Sequence, residues 1–268
     1  MTSSESIRQA GDYLATEFLA HRPLDVMIQP FAPTDEQQGY AIQEAFLGRV
    51  AEEKGTEVWG YKIAYTNAFM RDRAGVAGPC SGLILASGVH ESGVTLNRDD
   101  YLRLGIECEV AVRMGADLPP SGAPYTRETV HDAIEWLAAS FEIIDGRDGA
   151  AGEAKSPALR SIVTNINNGG AVLAEPVTDW QSIDLAASQG KMIVNGEVIG
   201  EGVGTDIMGH PLEPVAWLAN NLVGLGKSLK AGDMILTGSF APPYFIEAGD
   251  SASISIEGLG EAHFTVAG

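Results

Sequence analysis

Glu107 and Glu109 stand two residues apart in Ile106-Glu-Cys-Glu-Val-Ala-Val112, an Ile- and Val-rich run stopped by Gly115. The pattern predicts a strand. Successive strand side chains alternate faces, so both carboxylates point into one space, about 7 Å apart at the backbone. Two like charges held together are costly unless something positive sits between them. A divalent cation would serve; the alternative is a solvated strand face with both acids wet. A third acid lies in Ser140-Phe-Glu-Ile-Ile-Asp-Gly-Arg147. Here Ile143 and Asp145 share one strand face, Glu142 and Ile144 the other. A charge entering an apolar strand is poorly explained by propensity. Glu142 is either a partner of the first two acids or a solvated strand-start residue, and Asp145 with Arg147 reads equally well as an ordinary ion pair. In Gly60-Tyr-Lys-Ile63, Lys62 lies opposite Tyr61 and Ile63. It can therefore face a cleft while they face the core, or be a plain solvent-exposed lysine.

These residues need elements to hold them. Residues 4–53 read as helical: Ile7, Leu14 and Phe18 recur at helical spacing and Pro23 ends that element. Thr34-Asp-Glu-Gln37 resembles a capping box opening a second helix, with Gly55 as its stop. A strand over 58–65, a short helix from Asn67 to Ala74 and an apolar run at 83–86 follow. Thr126 is expected to cap a helix carrying Val130, Ile134, Leu137 and Phe141 on one face. Asn195-Gly196 between two apolar runs predicts a hairpin with a type I′ turn. Pro214 to Leu225 reads as a helix, and the segments at 234–237 and 252–256 as strands. The expected organisation is a small, mainly helical N-terminal region (1–85) and a β-rich catalytic domain (86–268).

The chain has 268 residues, 45% apolar, with 32 glycines. That glycine content is well above the usual share near 7% and favours a turn-rich β architecture. A net charge of −19 argues against nucleic acid or an anionic membrane as partner, since both require basic patches. A local cation can still draw a small anion into a cleft. Two cysteines, Cys80 and Cys108, are too few for a disulfide framework. The start lacks the apolar core of a signal peptide, and no apolar run reaches 18 residues, so the expected location is cytoplasmic. His21, His90, His131, His210 and His263 show no zinc-type spacing, and Gly202-x-Gly204 lacks the context of a dinucleotide loop.

The order Glu-x-Glu, a gap of about 30 residues, then Glu-Ile-Ile-Asp-x-Arg resembles the fumarylacetoacetate hydrolase superfamily. Within it, the chain is most similar to the branch of 2-keto-4-pentenoate hydratases and 4-oxalocrotonate decarboxylases. The likeness extends through Gly60-Tyr-Lys62-Ile-Ala-Tyr-Thr66, Asn165, Gly169-Gly170, Gly209-His-Pro-Leu212, Leu236-Thr-Gly-Ser239 and Glu247-Ala-Gly-Asp250. The resemblance implies an α+β fold, a mixed β-roll with a small helical N-terminal region. It implies that Glu107, Glu109 and Glu142 hold Mg²⁺ or Mn²⁺, that Lys62 is the active-site lysine, and that the protein is a homo-oligomer. The implied reaction is addition of water to a 2-hydroxy-2,4-dienoate, through its 2-oxo-3-enoate tautomer, as in aromatic meta-cleavage catabolism. Decarboxylation of a 2-oxo-enedioate is the alternative, ahead of C–C hydrolysis or an inactive scaffold. The substrate is a small anionic 2-oxo or 2-hydroxy-dienoic acid, contacted by Asn165, Asn168, Ser239 and Arg147. Two departures fall among the contacts. Cys80 replaces an acid of the family's Pro-Asp-x-Gly turn, and Asn167 and Asn168 replace two small hydroxyl residues, so Cys80 and Asn167 enter as candidate catalytic positions.

Overall fold

The computed structural model describes residues 4–24, 32–147 and 156–268. Helix α1 (Ser4–Leu19) buries Ala10, Leu14 and Ala15 against Ile42, Phe46, Leu47 and Val50 of α2 (Glu36–Lys54). A side chain at Gly11 would meet the Ala45 Cβ at 2.6 Å, so the bare glycine lets the helices touch. Asp35 caps α2 by accepting from the Gln38 amide at 2.8 Å, and Gln38 Oε1 accepts from the Thr34 amide at 2.7 Å. The helix ends at Gly55, left-handed at φ 61.

The chain continues through β1 (Val58–Ala64), α3 (Ala68–Ala74), β2 (Cys80–Leu85), β3 (Val89–Glu91), β4 (Thr95–Asn97) and β5 (Leu104–Met114). Then come α4 (Arg127–His131), β6 (Ile134–Asp145), α5 (Pro157–Val163), β7 (Asn168–Leu173), β8 (Gln189–Val194) and β9 (Glu197–Val203). The last elements are α6 (Glu213–Gly224), β10 (Met234–Ser239), β11 (Tyr244–Phe245), β12 (Ser251–Ile256) and β13 (Gly260–Ala267).

The larger sheet has the order β2-β1-β10-β5-β6-β7-β3, with β11 also pairing β5. The smaller has the order β4-β13-β12-β8-β9. One apolar core joins them, and Phe141 meets Phe264 edge-on at 4.9 Å between ring centroids. The β8–β9 hairpin turns at Asn195 and Gly196, both at positive φ (52 and 84), as a type I′ turn requires. The line at residue 85 falls at the end of β2, which pairs with β1 and through it with β10. Strands from both sides of that line therefore share one sheet.

The helix expected over 126–141 is a correction. Thr126 does cap a helix, but it closes at His131, and β6 begins at Ile134. This strand pairs with β5 on one side and β7 on the other, and both its faces are largely covered. Apolar residues on both faces erase the period of two. The spacing of Val130, Ile134, Leu137 and Phe141 then imitates a helical stripe. Among the described residues, no helix is long and apolar enough to cross a membrane.

Candidate metal centre and cleft

Sheet register assembles the acids. Glu107 is directly opposite Glu142 across β5 and β6. Glu109 lies opposite Ser140 on one side and Ser239 on the other. Ligand oxygens of Glu107, Glu109 and Glu142 all lie within 4.8 Å of one another. Lys62 reaches them because β1 pairs in parallel with β10, which pairs with β5. Its Nζ stands 2.9 Å from Glu142 Oε1, and both side chains are buried.

The surroundings orient each group. Glu142 Oε1 also accepts from Asn168 Nδ2 at 3.0 Å. Its Oε2 is buried with no hydrogen-bond partner among the described residues. Glu109 Oε2 accepts from the Gly238 amide at 2.8 Å. The β10–β5 register shifts between Leu236 and Ser239, which frees that amide from the ladder. Gly238 has φ 106, and a Cβ there would stand 2.1 Å from Thr66 Oγ1. Only glycine meets both conditions.

The charges are out of balance. Burial, and then the neighbouring Glu142, push Glu107 up to about 8, with Lys62 opposing. Burial followed by Glu142 and Glu107 raises Glu109 well above the carboxylate range. Burial pulls Lys62 down, but the three acids outweigh it and hold the ammonium above its ordinary value. Three inward carboxylates against one lysine, with one oxygen unpartnered, fit a hard divalent cation such as Mg²⁺ or Mn²⁺.

Lys62, Glu107 and Glu109 open on a cleft of about 470 Å³. Asn167 and Ser239 also line it. Asn167 is left-handed at φ 56, as are Asn165 and Ile166 before it, and its Oδ1 accepts from the Arg147 amide at 3.4 Å. Ser239 Oγ donates to the Ala241 carbonyl at 2.6 Å.

Three expected site residues lie elsewhere. Asn165 is buried and satisfied by the Leu83 backbone, accepting from its amide at 2.7 Å and donating to its carbonyl at 2.8 Å. Cys80 packs with Tyr40 and Ile162, and burial pushes its thiol up to about 12. Arg147 pairs with Asp145, donates to the Phe18 carbonyl at 3.1 Å and lies over the Phe18 ring. None of the three lines the cleft, and neither does Asn168, whose amide donates to Glu142 Oε1 and to the Gly170 carbonyl.

Sequence reasoning missed the Gly238 amide, Thr66 and the apolar lining at Phe69, Met70, Ile144, Ile166 and Phe245. The glycine of Thr237-Gly-Ser239 was a usable signal. An apolar residue beside a cleft looks in sequence like one in a core.

A cluster of three acids on two strands, with a lysine from a third strand of the same sheet, defines a class of protein. The family model described as fumarylacetoacetate (FAA) hydrolase C-terminal matches residues 44–267, and the chain belongs to this family. It is 34% identical over 262 residues to a 2-hydroxyhexa-2,4-dienoate hydratase of Comamonas testosteroni, covering 97% of each chain. A 2-keto-4-pentenoate hydratase of Dechloromonas aromatica is 30% identical over 239 residues, 89% of each. Among solved structures, the 4-oxalocrotonate decarboxylase of Pseudomonas putida G7, complexed with magnesium and adipate, superposes with a TM-score of 0.89. The match covers 99% of both chains at 23% identity and speaks to the fold.

Proposed function

We propose that the protein is a metal-dependent hydro-lyase that adds water to a 2-hydroxy-2,4-dienoate and yields a 4-hydroxy-2-oxo acid. The observation that carries this reading is the cluster itself: three carboxylates within 4.8 Å, one with a buried, unpartnered oxygen. Glu107, Glu109 and Glu142 would hold Mg²⁺ or Mn²⁺. An ion held there would supply Lewis-acid chemistry to the substrate's carboxylate and 2-oxygen. An acidic cleft has no other evident means of attracting an anion.

The chain's own groups do the rest. The dienol gains a proton at C5 and loses its enol proton, giving the 2-oxo-3-enoate. Water then adds at C4 and C3 takes a proton. Lys62 is the charged donor beside the acids and serves these proton movements. Asn168 and Lys62 together occupy Glu142 Oε1, leaving Oε2 for the ion. The Gly238 amide fixes Glu109 in the same way. The names of the hydratase relatives support this reading, and a cytoplasmic homo-oligomer is proposed alongside it. The expected result is that Mg²⁺-loaded protein depletes the ultraviolet absorbance of 2-hydroxyhexa-2,4-dienoate and that a chelator stops it. A metal-loaded sample inert toward dienoates of several chain lengths would sink the proposal.

A further inference from the structure

Among the described residues lining the cleft, Lys62 is the one Lys or Arg, and it is engaged with Glu142. The acids there are Glu107, Glu109 and Asp206. Two nearby guanidinium groups stand outside the described lining. Arg71 donates to the Tyr65 carbonyl at 2.8 Å, and Arg103 stacks on the Phe245 ring at 3.5 Å. Arg147 is bound to Asp145 outside the cleft lining.

Beside Thr66, Asn67, Asn167 and Ser239, much of the remaining lining is apolar. Ile144 follows Glu142 on the same face of β6, about 7 Å along the strand. Phe245 pairs opposite Gly105, two residues before Glu107. A Cβ on Gly105 would strike the Phe245 ring at 2.9 Å and Ile144 at 3.3 Å. These two side chains therefore converge one pleat beyond the carboxylates. Ile166, Phe69 and Met70 complete the surface. Phe69 is 64% exposed, on a helix that buries none of its residues. Its ring fills no core among the described residues and lines the cleft.

We propose that Phe69, Met70, Ile144, Ile166 and Phe245 form the subsite for the substrate end remote from its 2-oxo acid group. This subsite selects an uncharged alkyl tail and rejects a second carboxylate. The inference rests on the 2-oxo acid reading of the metal centre. A terminal carboxylate would lose water against these apolar side chains with no Lys or Arg other than Lys62 among the described lining residues to replace it, and would share the cleft with Asp206. A 2-oxo-enedioate, the substrate of the decarboxylation alternative, carries that second carboxylate. An alkyl tail gains about three- to fourfold in affinity per methylene buried.

Calorimetric binding to the Mg²⁺-loaded protein tests this without turnover. 2-Oxohexanoate and 2-oxohexanedioate have the same carbon count and differ only at the far end. The monoacid is expected to bind at least about tenfold tighter, or about 1.4 kcal/mol. Phe69→Ala should weaken 2-oxohexanoate several-fold while leaving 2-oxobutanoate binding and the melting temperature unchanged. Met70→Arg should narrow or reverse the preference. Equal binding of the two acids, or a Phe69→Ala loss shared by the short acid, overturns the subsite. Failure of 2-oxobutanoate itself to bind overturns the acid-binding centre and the subsite with it. A preserved tail preference without dienoate turnover supports the subsite and counts against the hydratase reading alone.

Discussion

Glu142 and Asp145 are buried acids on the same strand, each beside one cation, Lys62 and Arg147 respectively. Their surroundings differ in what they leave unused. Asp145 Oδ1 accepts from the Leu102 amide at 2.8 Å and Oδ2 takes the Arg147 guanidinium. Arg147 also bonds the Phe18 and Arg22 carbonyls, at 3.1 and 3.4 Å, and its own carbonyl accepts from Leu24 at 2.8 Å. This pair fastens α1 and the turn after it to the end of β6. Glu142 shares its lysine with two more carboxylates and keeps one oxygen unpartnered. A buried ion pair with every bond made is a structural tie. One with acceptor capacity to spare and surplus negative charge is suited to hold a cation.

The largest effect that sharpens this contrast is expected from Glu109→Gln. The amide keeps the shape, removes one negative charge and weakens the metal centre. Turnover should fall on the order of 10³-fold, about 4 kcal/mol of barrier, with bound Mg²⁺ lost in elemental analysis and no loss of metal-free melting temperature. Full activity in this variant would remove the distinction between the two pairs.

Arg147→Met tests the other side. It strands Asp145 as a buried acid without its cation, and a destabilisation of about 3–5 kcal/mol is expected in urea unfolding. The folded fraction should keep its kcat. A collapse in kcat at unchanged stability would move Arg147 into the catalytic machinery.

The smallest effect is the pH dependence of the metal-free protein. Glu107 is raised in the folded state to about 8. Its favourable contribution is therefore complete below the ordinary glutamate range and is lost as pH rises through about 8. Metal-free stability should fall between pH 6 and pH 9, on the order of 1–3 kcal/mol. Saturating Mg²⁺ should cancel the fall, because the ion favours the ionised carboxylates. A flat metal-free profile would mean that the acids are less crowded than their geometry implies.

Much of this centre was legible in the residues. Alternation alone put Glu107 with Glu109, and a charge inside Phe141-Glu-Ile-Ile144 marked Glu142. The same alternation places Asp145 and Glu142 on opposite faces of β6, three residues apart. It therefore also spoke against Arg147 as a substrate contact, since its partner faces away from the acids. Other features were not legible for physical reasons. The doubly covered strand β6 lost its period of two and read as a helix. The Gly238 amide depends on a register shift between β10 and β5, which no local pattern encodes. Asn165 spends its amide on the Leu83 backbone, a contact between residues 82 positions apart. Cys80 occupies a motif position, yet the Tyr40 and Ile162 packing that encloses it comes from elements distant in sequence.

The parallel pairing of β1 with β10 has a consequence for synthesis. The β5–β6 pair that carries the three acids is fully made once residue 145 has been added. Lys62 was made long before, yet it can dock beside Glu142 only when residues 234–239 arrive to lie between β1 and β5. At about 5–20 residues per second, the stretch from residue 145 to residue 234 takes about 4–18 s to make, and until then the strand that joins β1 to β5 is missing. The centre is thus completed only once β10 is in place, a strand that contributes a backbone amide and no charge.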